Sequence, residues 1–266
     1  REGVFRVDLA KVYERCVSEL ERFISNAGFH DAVIGLSGGI DSSLVATMAV
    51  DVLGSSRVHG VLLPGPYSSD HSVTDALELA CALRIEAETI SIVEPYYAFA
   101  AAYKAGTGHD LVGVAAENSQ ARLRMMCIMA LSNEHGWMML NTGNRSEAAM
   151  GYSTLYGDTA GAYAPIGGIY KTDVYALSEW RNSLARSEGE RPPIPSNVLT
   201  KAPSAELSAD QSDESSMGIT YADLDAILSL YLEGGLSPDE IERAGHSRGL
   251  IDMVIGRYNA NAFKRA

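Results

Sequence analysis

Cysteine is scarce in this chain of 266 residues. Cys16, Cys81 and Cys127 stand far apart, no pair has metal-ligand spacing, and the six histidines are scattered likewise. That leaves no zinc or disulfide framework to read, and core packing in a reducing, cytoplasmic setting is the expected role of all three thiols. Long apolar runs are missing too. None approaches the ~20 residues of a membrane span, and no basic-then-apolar signal segment opens the chain. It opens on Arg1, so its natural start is expected to be missing or trimmed. Positive charge is in deficit, with 21 Lys and Arg against 34 Asp and Glu and a net charge of −13. Non-specific nucleic-acid binding rests on Lys and Arg neutralising phosphates, so that class is set aside. A small anionic ligand is not excluded, provided basic groups gather locally. Two phosphate-binding signatures are also absent: no Gly-Lys-Ser/Thr of a Walker loop and no Gly-x-Gly-x-x-Gly.

What is present begins at residues 35–43, Gly-Leu-Ser-Gly-Gly-Ile-Asp-Ser-Ser, directly after the apolar run Ala32-Val33-Ile34. A strand that ends in a Gly-rich loop and enters a helix is a place to hold phosphates. Ser37, Gly38 and Gly39 let backbone N–H groups turn toward an anion, and a helix starting near Ser42 adds its positive end. Asp41 stands at the mouth of that site, where it would repel a bare phosphate. A Mg²⁺ shared with the phosphates is the usual reason for such a carboxylate. The alternative at this point is a Gly-rich turn with capping Ser and Asp.

The length suits one large domain or two small ones, and 46% hydrophobic with 21% charged residues is ordinary for a globular protein. Helical spacing of Leu9, Val12, Tyr13, Cys16, Val17, Leu20, Phe23 and Ile24 predicts an amphipathic helix. Strands are expected at 31–36, 58–63, 87–93 and 137–141, and helices at 44–53, 72–83, 117–134, 171–185, 221–232, 238–244 and 247–258. Residues 143–170 read as a long Gly-rich loop, functional or mobile. The Pro cluster at 192–195 and the acidic run 210–214 bracket a second irregular region. Repeated strand–helix units predict an α/β fold, a doubly wound parallel sheet with helices on both faces, in a single domain over 1–266. Ligands of such sheets lie beyond the carboxyl ends of the strands. The 35–43 loop, Pro64-Gly65 and Asn141–Asn144 would then line one crevice.

Thr142 and Glu147 fall just past a strand end. Glu147 is either a second carboxylate that completes an Mg²⁺ site with Asp41 or a solvated loop acid. Arg122 and Arg124, two apart on a helix, point to different faces. One is free to reach a ligand while the other makes a surface ion pair. Lys171 opens a helix, where its charge opposes the macrodipole, a mismatch that suggests service to an anion. Ser204 contacts phosphate or caps a turn.

The loop at 37–42 resembles that of the N-type ATP pyrophosphatases. Beyond it, Glu117-Asn118-x-Gln120-Ala121-Arg122, Thr142-Gly143-Asn144-x-Ser146-Glu147, Gly151–Asp158, Pro203–Leu207 and Asp210-Gln211-x-Asp213-Glu214 resemble NAD⁺ synthetases, in the right order over nearly the whole chain. The resemblance implies a ligase. ATP adenylates the nicotinate carboxylate of deamido-NAD⁺, pyrophosphate leaves, and ammonia attacks the acyl adenylate to give NAD⁺ and AMP. It implies that Gly35, Leu36, Ser37, Gly38, Gly39, Ile40, Asp41 and Ser42 bind the ATP phosphates, with contacts from Thr142, Lys171 and Ser204. Asp41 and Glu147 would hold Mg²⁺, and Asn118, Arg122, Glu147 and Lys264 would meet deamido-NAD⁺. Asp158 is either the base that takes a proton from ammonium or a turn residue after Gly157.

Stand-alone, ammonia-using members carry Lys at the position of Leu155 and Asp at that of Ala162. Both are apolar here, and the run 152–160 looks more like the synthetase portion of glutamine-dependent members. A separate glutaminase or a missing amidase domain is therefore an expected partner, and with the chain stopping at Ala266 the Lys264 contact is the most exposed assignment. A homodimer is expected, from the apolar 117–134 helix and from the family. Rival readings are another amidotransferase-type subunit, GMP- or asparagine-synthetase-like, and a non-catalytic nucleotide-binding module. A tRNA-modifying relative would carry a basic surface that the charge does not suggest.

Overall fold

The computed structural model describes residues 8–208 and 212–265; Asp210 and Gln211 lie outside the described residues. Helix α1 (Leu9–Ala27) starts where the Asp8 carboxylate accepts the Lys11 backbone N–H. It buries Tyr13, Cys16, Leu20 and Ile24, the stripe its spacing predicts. Cys16 is core, as expected of it, whereas Cys81 is exposed.

Four strands, β1 (Ala32–Gly35), β2 (Val58–Leu62), β3 (Glu86–Thr89) and β4 (Met138–Met139), form one parallel sheet in the order β3-β2-β1-β4. The pleat sorts successive side chains onto opposite faces. Ala32, Ile34, Val58, Leu62, Met138 and Leu140 join one buried cluster. Val33, Val61, Leu63 and Met139 join another. The first face is covered by α1, α2 (Ile40–Leu53), α3 (Asp70–Leu83) and α7 (Lys171–Ser187). The second is covered by α5 (Gly113–His135), with α4 (Val93–Thr107) packed beside it. The expected doubly wound architecture is therefore what the chain adopts. Strand order reverses between β1 and β4, so a crevice opens beyond the end of β1.

Gly60 is needed where β2 passes the loop after β1, because a Cβ there would lie 2.5 Å from Leu36 Cδ1. This closeness holds the start of the 35–43 loop against the sheet. A third buried cluster joins α6 (Arg145–Met150) to α10 (Tyr221–Leu232), α11 (Pro238–Arg243) and α12 (Arg248–Ala260) through Leu224, Ile227, Leu228, Ile241, Ile251 and Val254. Two short helices, α8 (Ser196–Thr200) and α9 (Asp213–Met217), lie in the second irregular region.

Differences from the sequence expectation have physical causes. The predicted strand 87–93 ends at Thr89, although Ile90 and Ile92 still donate to the Leu62 and Pro64 carbonyls at 2.9 and 3.0 Å. The following α4 gave no periodic signal because Tyr96 is the residue it buries. Pro95 is tolerated there in the first turn, where its missing N–H has no intrahelical partner to lose. Within the predicted loop 143–170, α6 forms on a capping box: Asn144 Oδ1 accepts the Glu147 N–H and the Glu147 carboxylate accepts the Asn144 N–H. The same stretch also bridges Tyr163 to Leu140 in parallel.

Candidate active site

The loops after β1, β2 and β4 enclose a cavity of about 540 Å³. Of the residues given a site role from the sequence, all but Gly38, Asn118 and Arg122 wall it; Ser43 and Gly65, expected on the same crevice, do not. The 35–43 loop is ordered by its own hydroxyls. Gly39 N–H donates to Ser37 Oγ at 3.2 Å, Ser37 N–H donates to Ser42 Oγ at 3.3 Å, and Ser43 Oγ donates to the Gly39 carbonyl at 2.8 Å. α2 begins at Ile40, earlier than expected, which puts Asp41 in its first turn, where a carboxylate is stabilised by the helix dipole. Gly38, at φ +70°, packs its α-carbon against the Ser72 carbonyl in the first turn of α3.

Lys171, the first residue of α7, is only 2% exposed, although Lys is among the residue types least often fully buried. Its Nζ bonds Asp41 Oδ2 and lies 3.4 Å from Glu147 Oε1. Asn144 Nδ2 donates to Asp41 Oδ1 at 2.9 Å. Two carboxylates from distant parts of the chain thus converge on one cation. Burial, then the negative charge of Asp41, pushes Glu147 up to about 8, against the pull of Lys171. Burial alone would make Lys171 easier to deprotonate, but Asp41 and Glu147 together outweigh it and hold the ammonium charged. Hard, converging oxygens suit Mg²⁺, so the donor set fits that ion.

The position of Lys171 is itself anchored. Asp225, buried on α10, accepts Ser146 Oγ at 2.5 Å, Thr172 N–H at 2.9 Å and Thr172 Oγ1 at 2.8 Å. It ties the start of α7 to α6 and to the C-terminal helices.

Asp158 faces the crevice, and the protein atoms crowded around its carboxyl raise it above its ordinary value. Its Oδ1 accepts Thr154 N–H at 2.5 Å, so it also closes a turn. Asn118 Oδ1 accepts Thr154 Oγ1 at 2.7 Å, and Arg122 Nε donates to the Leu155 carbonyl at 3.1 Å. Those two brace the 154–155 turn from α5, away from the Asp41 end. Lys264 Nζ donates to the Gly151 and Ser153 carbonyls at 2.7 and 2.6 Å, tying the chain's end to the same segment. Ser204 is exposed at the cavity rim, and its Oγ accepts Glu206 N–H at 3.2 Å.

Four charged wall residues carried no assigned role in the sequence reading. Arg124, not Arg122, turns into the cavity, where Nε donates to the Leu63 carbonyl at 3.0 Å. It stands four residues after Gln120, on the helix face turned to the sheet, and that spacing was the available signal. Glu206 accepts Ser69 Oγ and Ser72 Oγ, each at 2.7 Å, and Lys201 Nζ bonds Asp75 at 3.0 Å, strapping 201–207 across α3. Asp213 is 4% exposed and lies near Lys171. Its carboxyl is raised by burial, and Tyr221 OH donates to it at 3.1 Å.

The NAD synthase family model matches residues 12–266. A glutamine-dependent NAD(+) synthetase of Thermotoga maritima is 42% identical over 255 residues, 96% of this chain and 43% of that protein. The chain spans less than half the length of the curated relatives it matches. The structure of an NMN synthetase from Francisella tularensis superposes with a TM-score of 0.80 at 32% identity, over 97% of this chain and 96% of that one. A glutamine-dependent NAD+ synthetase from Acinetobacter baumannii, in complex with ADP, has a TM-score of 0.70 at 33% identity, over 100% of this chain and 47% of that one.

Proposed function

The chain belongs to the NAD synthase family, and on that premise we propose that it is an ATP-dependent ligase that amidates deamido-NAD⁺ to NAD⁺. The observation that carries this reading is the convergence of Asp41, Glu147 and Lys171 beside the 35–43 loop at the ends of β1 and β4. The arrangement handles a triphosphate and a carboxylic acid together. A carboxylate is a poor electrophile. One of its oxygens attacks the α-phosphorus of ATP, the bond to the β-phosphate oxygen breaks, and pyrophosphate leaves. Ammonia then attacks the acyl carbon of the adenylate, the C–O bond to AMP breaks, and the amide forms.

Within this reading the chain's own groups do the following. Backbone N–H groups of the 35–43 loop and the α2 N-terminus bind the departing pyrophosphate. Lys171 neutralises phosphate charge, and Thr142 and Ser204 contact ATP at the rim. Asp41 and Glu147 would hold Mg²⁺, which offsets charge on the phosphates when bound. Asn118, Arg122, Glu147 and Lys264 meet the dinucleotide, the first two through the turn they brace. Asp158 takes the proton that ammonium must lose before it attacks. We expect Asp158→Asn to slow amide formation more than adenylation, compared by NAD⁺ formation against pyrophosphate release. Equal slowing removes Asp158 from this role.

Ammonia is proposed as the immediate nucleophile. Glutamine-dependent relatives more than twice as long as the matched region support a glutaminase as its source, in the same chain or a separate one. The whole of 1–266 is read as one synthetase domain. A homodimer is supported by the apolar residues left exposed on α4 and α5 and their flanks, Tyr97, Phe99, Val112, Val114 and Met126. No described helix is long and apolar enough to cross a membrane, and a cytoplasmic setting is proposed. The likeness to an NMN synthetase favours one second reading, in which the acid is nicotinate mononucleotide. One assay decides: ATP, Mg²⁺, ammonium and each acid in turn, following AMP and amide. AMP formed with xanthosine monophosphate or aspartate, and not with deamido-NAD⁺, would sink the proposal.

A further inference from the structure

The cation between Asp41 and Glu147 belongs to the protein. Lys171 Nζ holds the inner oxygens of both carboxylates. Their other oxygens are taken by Asn144, whose Nδ2 donates to Asp41 Oδ1 at 2.9 Å and whose N–H donates to Glu147 Oε2 at 3.3 Å. A divalent ion reaching this pair alone would meet a buried ammonium in its place. We propose that Lys171 excludes free divalent metal from Asp41 and Glu147, so that metal enters only together with the triphosphate, whose charge draws the ammonium off the carboxylates. This rests on reading Asp41 and Glu147 as the metal seat.

A second observation shows how the ammonium can leave. A buried charge cannot give up its partner without another acceptor. Asp213 is a buried carboxyl of this kind: its Oδ1 makes no hydrogen bond of normal geometry among the described residues, although the Tyr152 side chain also reaches the carboxyl. The Asp213 carboxyl is bound through its other oxygen to Tyr221 OH, and Lys171 Nζ lies 5.2 Å from the centre of that Tyr221 ring. Asp213 is therefore a further carboxyl within reach of the ammonium's charge, on the cavity wall. A Lys stem is flexible enough to pivot toward Asp213 and an incoming phosphate while staying charged. Linkage makes the effect reciprocal: the triphosphate tightens metal binding by the factor by which metal tightens the triphosphate, about 10–100-fold.

The test uses Mn²⁺ as probe, with free Mn²⁺ read by its electron paramagnetic resonance signal on the full chain. Without nucleotide, the unsubstituted protein is expected to bind Mn²⁺ at least about ten-fold more weakly than with a non-hydrolysable ATP analogue. Lys171→Met is expected to bind one Mn²⁺ per chain without nucleotide, at least about ten-fold tighter than the unsubstituted protein. Adding Asp41→Asn to Lys171→Met is expected to remove that site. Equal Mn²⁺ affinity of the unsubstituted protein with and without the analogue overturns the proposal. So does a folded Lys171→Met that binds no tighter than its parent. Where Lys171→Met does not fold, Lys171→Gln takes its place in the same comparison. Asp41→Asn with the analogue separates the two ideas. Loss of Mn²⁺ there keeps the metal seat whatever becomes of Lys171, and unchanged Mn²⁺ binding removes the seat and the exclusion together.

Discussion

Replacing Gly38 by Ala tests whether the 35–43 loop and the start of α3 act as one unit. Two costs add. A side chain at φ +70° carries roughly 1–2 kcal/mol of backbone strain. The new Cβ would also lie 2.2, 2.9 and 3.0 Å from the O, C and Cα of Ser72, where carbon contacts are comfortable at about 3.5–4.0 Å. These are backbone atoms, so no rotamer change relieves them. Ser72 is also pinned, because its Oγ donates to Glu206 Oε1 at 2.7 Å and accepts from Lys201 Nζ at 3.0 Å. Forcing the two segments apart adds about 1–3 kcal/mol, the cost of overpacking. A total of about 3 kcal/mol corresponds to a Tm lowered by about 6–12 °C for a chain of this size. Thermal unfolding reads the stability, and calorimetric titration with an ATP analogue reads the loop. We expect analogue binding to weaken by about ten-fold or more, since each 1.4 kcal/mol is a factor of ten. Gly39→Ala is the control, because its Cβ would meet only Ser37 Oγ, a rotatable hydroxyl, at 3.2 Å. If the two variants lose the same Tm and the same affinity, the coupling of loop to α3 is wrong.

Other substitutions probe the surroundings of Lys171. Asp225→Ala strands Thr172 N–H and two hydroxyls in a buried site and is expected to cost about 2–4 kcal/mol in urea unfolding. A loss under about 0.5 kcal/mol, as at an ordinary surface position, would contradict that. Glu147 is shifted from 4.5 to about 8, by burial and then by Asp41, so the folded chain keeps a proton that the unfolded chain releases. Stability from this group is full below pH 4.5 and is lost as pH rises to about 8. Glu147→Gln should flatten that part of the stability–pH curve, and superimposable curves would disprove it. Met126, 58% exposed on α5, lies in the proposed dimer contact. Met126→Glu is expected to give a monomer by light scattering at micromolar concentration, and an unchanged mass would rule out this face.

Much of the fold was legible because local chemistry and global pattern agreed. The stripe Tyr13, Cys16, Leu20 and Ile24 announced α1, and the run Ala32–Ile34 announced a strand buried on both faces. α4 was not legible, since a helix with little buried surface writes no periodic pattern. α6 was legible in principle from Asn144-x-x-Glu147, but the surrounding glycines masked it. At the site, residue types and order pointed to Asp41, Glu147 and Lys171 individually. Which arginine of the pair on α5 enters the cavity was open, because two positions two apart differ in direction and the sequence does not say which face meets the sheet.

By itself, then, the sequence determined the class of fold, the phosphate-type loop at 35–43 and the family to which the chain belongs. These rest on short-range periodicity, turn chemistry and motif order, all written along the chain. Only the tertiary structure decided that Lys171 and Asp41, 130 positions apart, form one buried ion pair with Glu147 beside it. It also decided that the buried Asp213 carboxyl comes near the same ammonium, held by Tyr221 OH. The reason is physical: whether a charge is solvated or paired depends on what the folded chain brings against it, and sheet order with helix packing sets that at separations no local pattern spans.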